Sequence, residues 1–260
     1  MDLATFVDAQ AATGRYSFTT EQAARALGVS LVAARAAIRR VRDKGRIATP
    51  FKGFHVIVPP EYRCLGCLPA DQFIPDLMEH LGLTCYVGLL SAAALHGAAH
   101  QAPMVFHVVV ADNRPEILCG RVRVEFIARR NVSEVTVERR NTPRGFLTLS
   151  TAEATAFDLV GYADRAGGLS NVATVLSELA EVLRAERILM EAEHSPVPWA
   201  QRLGFLLDLV GFGELTGPLA EHIAGTAREY VPLRIRWPAS GARLVPRWKI
   251  LLNEDVEPDL

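Results

Sequence analysis

Apolar positions recur at helical spacing through the start of the chain and then give way to strand-like alternation. In residues 2–12, DLATFVDAQAA, Leu3, Phe6 and Val7 share one face, which predicts a first helix. Thr19 followed three positions on by Gln22 matches a capping box, in which a hydroxyl and an amide satisfy orphan backbone donors. A short helix over Gln22–Leu27 follows, stopped at Gly28. Ser30 then caps a second helix that runs to about Lys44 and ends at Gly45. At about 100° per residue, Leu31, Ala34, Ile38 and Val41 form its inward side. Val32, Ala33, Ala36, Arg39 and Arg40 face outward, with Arg35 and Arg42 on the flank. Beyond Gly45 the chain alternates and turns at Lys52-Gly53, as in a strand pair.

The remainder mixes both periods. Pro59 and Pro60 stiffen a linker over Glu61–Leu68, because the proline ring fixes φ and removes a donor. Asp71–Leu81 reads as a helix with Phe73, Leu77 and Leu81 together, closed by Gly82. Within residues 86–110 a small-residue helix, Gly88 to about Leu95, precedes a buried strand, Val105–Val110; Ser91 and the alanines after it are a packing feature. Arg121, Arg123 and Glu125 then alternate with Val122, Val124 and Phe126, and Val135–Val137 and Phe146–Leu149 suggest two further strands. Ser150 with Glu153 reads as another capping box, opening the helix TAEATAFDLVGYA, where Asp158 in apolar surroundings suggests pairing with an arginine. After Gly167-Gly168 come a long amphipathic helix over Asn171–Leu189 and an apolar one over about Ala200–Val210. Glycine-marked turns and a short helix follow, then strands in VPLRIRW and RWKILLN, and a polar acidic tail from Asn253 to Leu260.

Charge sharpens this picture. The net charge of −1 conceals a split: residues 1–63 hold ten Lys or Arg against five Asp or Glu, while the rest holds 18 against 24, so +5 is attached to −6. A basic module on a mildly acidic body fits a polyanionic partner for the first part only. At 260 residues, 50% hydrophobic and 22% charged, the chain supports two folded domains with real cores. Its longest apolar run, Tyr86–Leu95, is too short to span a bilayer, and the start MDLATFVDAQ lacks the basic end of a signal peptide. The expected location is cytoplasmic. Of the four cysteines, Cys64-x-x-Cys67 has no second ligand pair at zinc spacing, and Cys85 and Cys119 stand apart, so reduced thiols are expected.

The outward face of the second helix suits a major groove. Its alanines allow close approach and contact with thymine methyls, and its arginines reach phosphates or guanine edges. Helix, glycine turn, basic helix and Gly-centred hairpin in that order resemble a winged helix-turn-helix. On that reading Ser30, Arg35, Ala36, Arg39 and Arg40 enter or border the groove, with Lys44 close behind, while Arg46 and Lys52 hold phosphates or the minor groove. The plainer alternative is an amphipathic helix with a solvated basic side. A second cluster, Arg129, Arg130, Arg139, Arg140 and Arg144, reads either as another basic patch or as the polar face of an antiparallel sheet; the latter is favoured, since strand-face arginines need no ligand. No phosphate-binding glycine loop with its lysine and no G-x-S-x-G elbow occurs. His96 and His100 stand four apart, but Gly97 breaks their common helical face, so neither metal nor cofactor is expected and no catalytic residues are assigned. The fold class is α+β: a winged helix-turn-helix domain over residues 1–63, then a larger mixed α/β domain over residues 69–260 with an antiparallel sheet.

Four segments carry a family resemblance: YVGLLSAAALHGAAHQAP, LSTAEATAFDLVGYADRAGGL, QRLGFLLDLVG and RWKILLNEDVEPDL. In this order they resemble the AbiEi family of type IV antitoxins. The resemblance implies a bacterial antitoxin that represses its own operon by binding inverted repeats in double-stranded DNA through the N-terminal domain. It further implies that the larger domain counters a nucleotidyltransferase-like toxin without a stable complex between the two proteins; self-association, before or on DNA, is left open. A solitary winged-helix regulator, a module binding an acidic protein, and an enzyme of unassigned chemistry stay open as alternatives.

Overall fold

The computed structural model describes residues 1–98 and 103–259, and the chain folds as two compact units. The first gathers Met1–Tyr86, Met104–Val132 and Arg139–Thr148; the second gathers Val87–Pro103, Ser133–Glu138 and Leu149–Leu260.

In the first unit, α1 (Leu3–Ala12) starts at Asp2, whose side chain accepts from the Thr5 amide. After β1 (Ser17–Thr19), α2 (Thr20–Leu27) opens on the capping box of Thr19 and Gln22 and closes at Gly28 in the left-handed region, at φ 67°. That backbone state costs glycine little and lets the chain turn directly into α3 (Leu31–Arg42), capped by Ser30. A hairpin, β2 (Ile47–Phe51) and β3 (Phe54–Ile57), completes a three-stranded antiparallel sheet in the order β1-β3-β2, with a bulge between Ala48 and Phe51.

This hairpin is buried on both faces. One side joins Leu3, Phe6, Val7, Phe18, Ala37, Ile38 and Val41 through Ile47 and Ile57. The other, through Ala48, Phe54 and Val56, joins a core that includes Leu68, Phe73, Leu77, Val108 and Val124. The segment expected as a linker, Glu61–Leu68, lies within this unit, and Cys67 and Leu68 are fully buried. A short turn over Ala70–Gln72 leads into α4 (Ile74–Leu81), which Gly82 ends.

A six-stranded sheet runs in the order β6-β7-β5-β4-β9-β8, its strands being β4 (Cys85–Val87), β5 (Phe106–Val110), β6 (Ile117–Cys119), β7 (Val122–Ala128), β8 (Val137–Thr142) and β9 (Gly145–Ser150). The expected antiparallel sheet is corrected here: β5 pairs with β7 and β4 with β9 in parallel, and β6 pairs with β7 antiparallel. The strand expected over Val135–Val137 begins only at Val137. Two arginines of the second cluster are structural. Arg129 is buried and donates to Asn131 and to the Tyr86 hydroxyl. Arg144 lies over the Tyr16 ring and donates to Gln72.

The second unit is mostly helical: α5 (Leu89–Leu95), α6 (Ala152–Gly161), α7 (Leu169–Leu179), α8 (Ala185–His194), α9 (Val197–Leu209) and α10 (Gly217–Thr226). Two expectations change. The single helix over Asn171–Leu189 is two, α7 and α8, broken between Ala180 and Arg184. The cap of α6 is Thr151, not Ser150, and Glu153 instead accepts from the Arg184 amide at 3.2 Å, at the start of α8. The C-terminal strands are shorter than expected, β10 (Val231–Pro232) and β12 (Ile250–Leu252), and β11 (Arg243–Val245) lies beside β12.

Candidate nucleic-acid interface

The interface is built on α3 and the β2–β3 hairpin. Ser30 turns its hydroxyl onto the Ala33 amide at 3.3 Å, so its side chain serves the helix start. From there Ala34, Ala37, Ile38 and Val41 face the core, which leaves Arg35, Ala36, Arg39, Arg40 and Arg42 exposed. The inward position assigned to Leu31 is corrected: Leu31 is 43% exposed, and Ala37 takes the buried place. With Val29, just before the cap, at 40% and Val32 at 73%, the start of α3 presents an apolar tip. Sequence periodicity misplaced Leu31 because a first-turn residue has no preceding turn to lie against.

Beside this helix a cleft of about 670 Å³ is lined by Arg35, Arg39 and Arg42 from α3 and by Lys52 from the hairpin turn. Gly53 adopts φ 82° in that turn, and its carbonyl accepts from the Thr20 amide at 2.9 Å, which fastens the hairpin tip to the start of α2. His55 forms the floor. Its two ring nitrogens lie 3.0 Å from the Thr20 and Thr49 hydroxyls, and burial first, then the charge of Arg42, push its pKa down to about 4. Three arginines and a lysine thus converge over a neutral imidazole, with Glu21 the carboxylate lining the same cleft.

The other expected residues stand elsewhere. Arg40 and Lys44 are exposed but outside the cleft. Arg46 is half-buried and paired with Asp8 of α1, a bond that anchors the first helix. Arg42, placed only on the flank by the helical wheel, is the addition; its sequence signal was the third arginine within four residues. His100, named as a metal candidate, lies outside the described residues. Among the described residues no group of three His, Cys, Asp or Glu is placed to hold a metal ion, and no helix is long and apolar enough to cross a membrane.

Residues 86–209 match the family model of the AbiEi antitoxin C-terminal domain. No curated protein matches the chain. Among solved structures it is similar to the crystal structure of the RV2827C protein from Mycobacterium tuberculosis, with a TM-score of 0.67 and 17% identity over 95% of this chain and 89% of that one. At that identity the likeness is one of fold.

Proposed function

We propose that the chain, whose residues 86–209 match the AbiEi antitoxin C-terminal domain, is a type IV antitoxin that also represses its own operon by binding DNA. Residues 1–63 act as a winged helix-turn-helix module, and residues 69–260 carry the antitoxin action. The observation that carries the DNA reading is the convergence of Arg35, Arg39, Arg42 and Lys52 on one cleft beside the exposed face of α3. Cations from two elements on one surface match a phosphate backbone, while the exposed Val32 and Ala36 offer small apolar contacts to thymine methyls. The operator carries inverted repeats, so two copies meet on it. The toxin is nucleotidyltransferase-like and is countered in the cytoplasm without a stable complex.

A mobility-shift assay on the promoter fragment upstream of the gene tests the repressor reading. Arg39→Ala should weaken operator binding by about 1–3 kcal/mol and leave binding to unrelated DNA nearly unchanged if it reads a guanine. Equal weakening on every sequence would reassign Arg39 to phosphate, and no shift at low salt would leave α3 as a protein-binding surface. Co-expression with the toxin tests the other half: growth should recover while tagged antitoxin fails to retain the toxin.

A further inference from the structure

The second unit contains a cavity of about 280 Å³ bounded by the end of α6, the turn after it, the start of α7, and residues 233–236. Arg202 of α9 reaches it although the residue is only 4% exposed. Its Nε donates to the carbonyls of Leu233 and Pro232 at 3.0 and 3.2 Å, Nη2 to that of Pro232 at 2.9 Å, and Nη1 to that of Pro198 at 3.3 Å. A guanidinium has five N–H groups, so two, one on each terminal nitrogen, stay unused. Among the described residues no carboxylate pairs with Arg202. Burial pulls its pKa down only to about 10, so it is a cation at neutral pH. A buried charge held only by carbonyl dipoles is costly until a counter-charge arrives.

The rest of the lining supplies further cations. Arg234 is engaged by Glu254 at 2.9 Å and Asp164 at 3.6 Å, so its charge is largely answered. Arg236 is exposed, forms no ion pair among the described residues, and holds φ 66°. That left-handed backbone is unfavourable for a side chain larger than glycine, and such strain concentrates where a residue is held for a ligand. Tyr162, Val160 and Leu169 give the cavity an aromatic and apolar wall.

We propose that this cavity is an anion site for a small phosphorylated ligand, with Arg202 at its base and Arg236 closing over it. Two planar guanidiniums suit the paired oxygens of a phosphate, and the apolar wall accommodates the organic part. The volume lies near the lower limit for ligand pockets and suits a compact phosphate ester rather than a polymer.

Calorimetric titration of the full chain with inorganic phosphate and with adenosine monophosphate tests the assignment. Each should bind saturably at one site per chain, and each should displace the other. Arg236→Ala leaves the core untouched and should weaken both by at least about tenfold, the loss of a charge-assisted contact. Arg202→Lys keeps the charge but loses the fork, and should weaken both as well while circular dichroism stays that of the parent chain. Absence of saturable binding, binding indifferent to Arg236→Ala, or binding removed by Arg39→Ala in the α3 cleft would each overturn the proposal.

Discussion

His55 illustrates how one residue can be both structural and conditional. Its neutral ring has one N–H and one lone pair, and the two threonine hydroxyls use both. Because its folded pKa of about 4 lies below the ordinary 6.5, the unfolded chain takes up the proton more readily. Stability from this group is therefore complete above pH 6.5 and is lost as pH falls towards 4, by up to about 3 kcal/mol. Urea midpoints should drop across that window in the parent chain, and His55→Asn should flatten the drop; an unchanged slope would remove His55 as its cause. The cysteines make a second test at this scale. Cys64 is exposed and Cys67 buried, where the Cys119 sulfur and burial push its thiol pKa up; burial lifts the half-buried Cys85 to about 11. An aromatic disulfide reagent at neutral pH should modify one thiol of the native chain rapidly and all four after denaturation.

Elements whose signals are local were legible in the sequence. The capping box of Thr19 and Gln22, the stop at Gly28 and the cap at Ser30 depend on neighbours within four residues, and each is present. What escaped depends on distant partners. Nothing between Ala180 and Arg184 is a glycine or proline, yet the helix breaks where the carboxylate of Glu153 accepts the Arg184 amide. That bond joins residues 31 apart, and it also takes Glu153 out of the capping box its spacing suggested. The cleft was half legible: the arginine run of α3 was visible, but the Asp8 partner that withdraws Arg46 was not. Gly204, in the middle of α9, is a further case. A Cβ there would lie 2.1 Å from the Trp248 ring, which is fully buried and held by its Nε1–H donating to Asp208 at 2.7 Å. Gly204→Ala gains about 1 kcal/mol of helix propensity but overpacks the ring contact by about 1–3 kcal/mol or more. The expected result is a lower urea midpoint with altered tryptophan fluorescence; a raised midpoint would mean that the ring gives way.

At the scale of the whole molecule, the division of charge has a measurable consequence. The basic face belongs to residues 1–63, with ten Lys or Arg against five Asp or Glu, while the rest of the chain is net negative and repels DNA. Affinity should therefore come from the few cations that converge rather than from a diffuse basic surface. Each phosphate neutralised releases condensed counterions, giving a slope of about −0.9 in log K against log salt. With Arg35, Arg42 and Lys52 each meeting one phosphate while Arg39 reads a base, a single copy should give about −3, and two copies on paired half-sites about twice that. Lys52→Ala should reduce the magnitude by about 1 per copy. Arg46→Ala should leave the slope alone and lower thermal stability slightly, since an exposed ion pair to Asp8 contributes about 0–1 kcal/mol. Fluorescence anisotropy across a salt series separates the outcomes. A slope near −1, or one that Arg46→Ala reduces as much as Lys52→Ala does, would dismiss the cleft as the phosphate-binding surface. A slope that doubles between a half-site and the full inverted repeat would fix the number of copies on the operator at two.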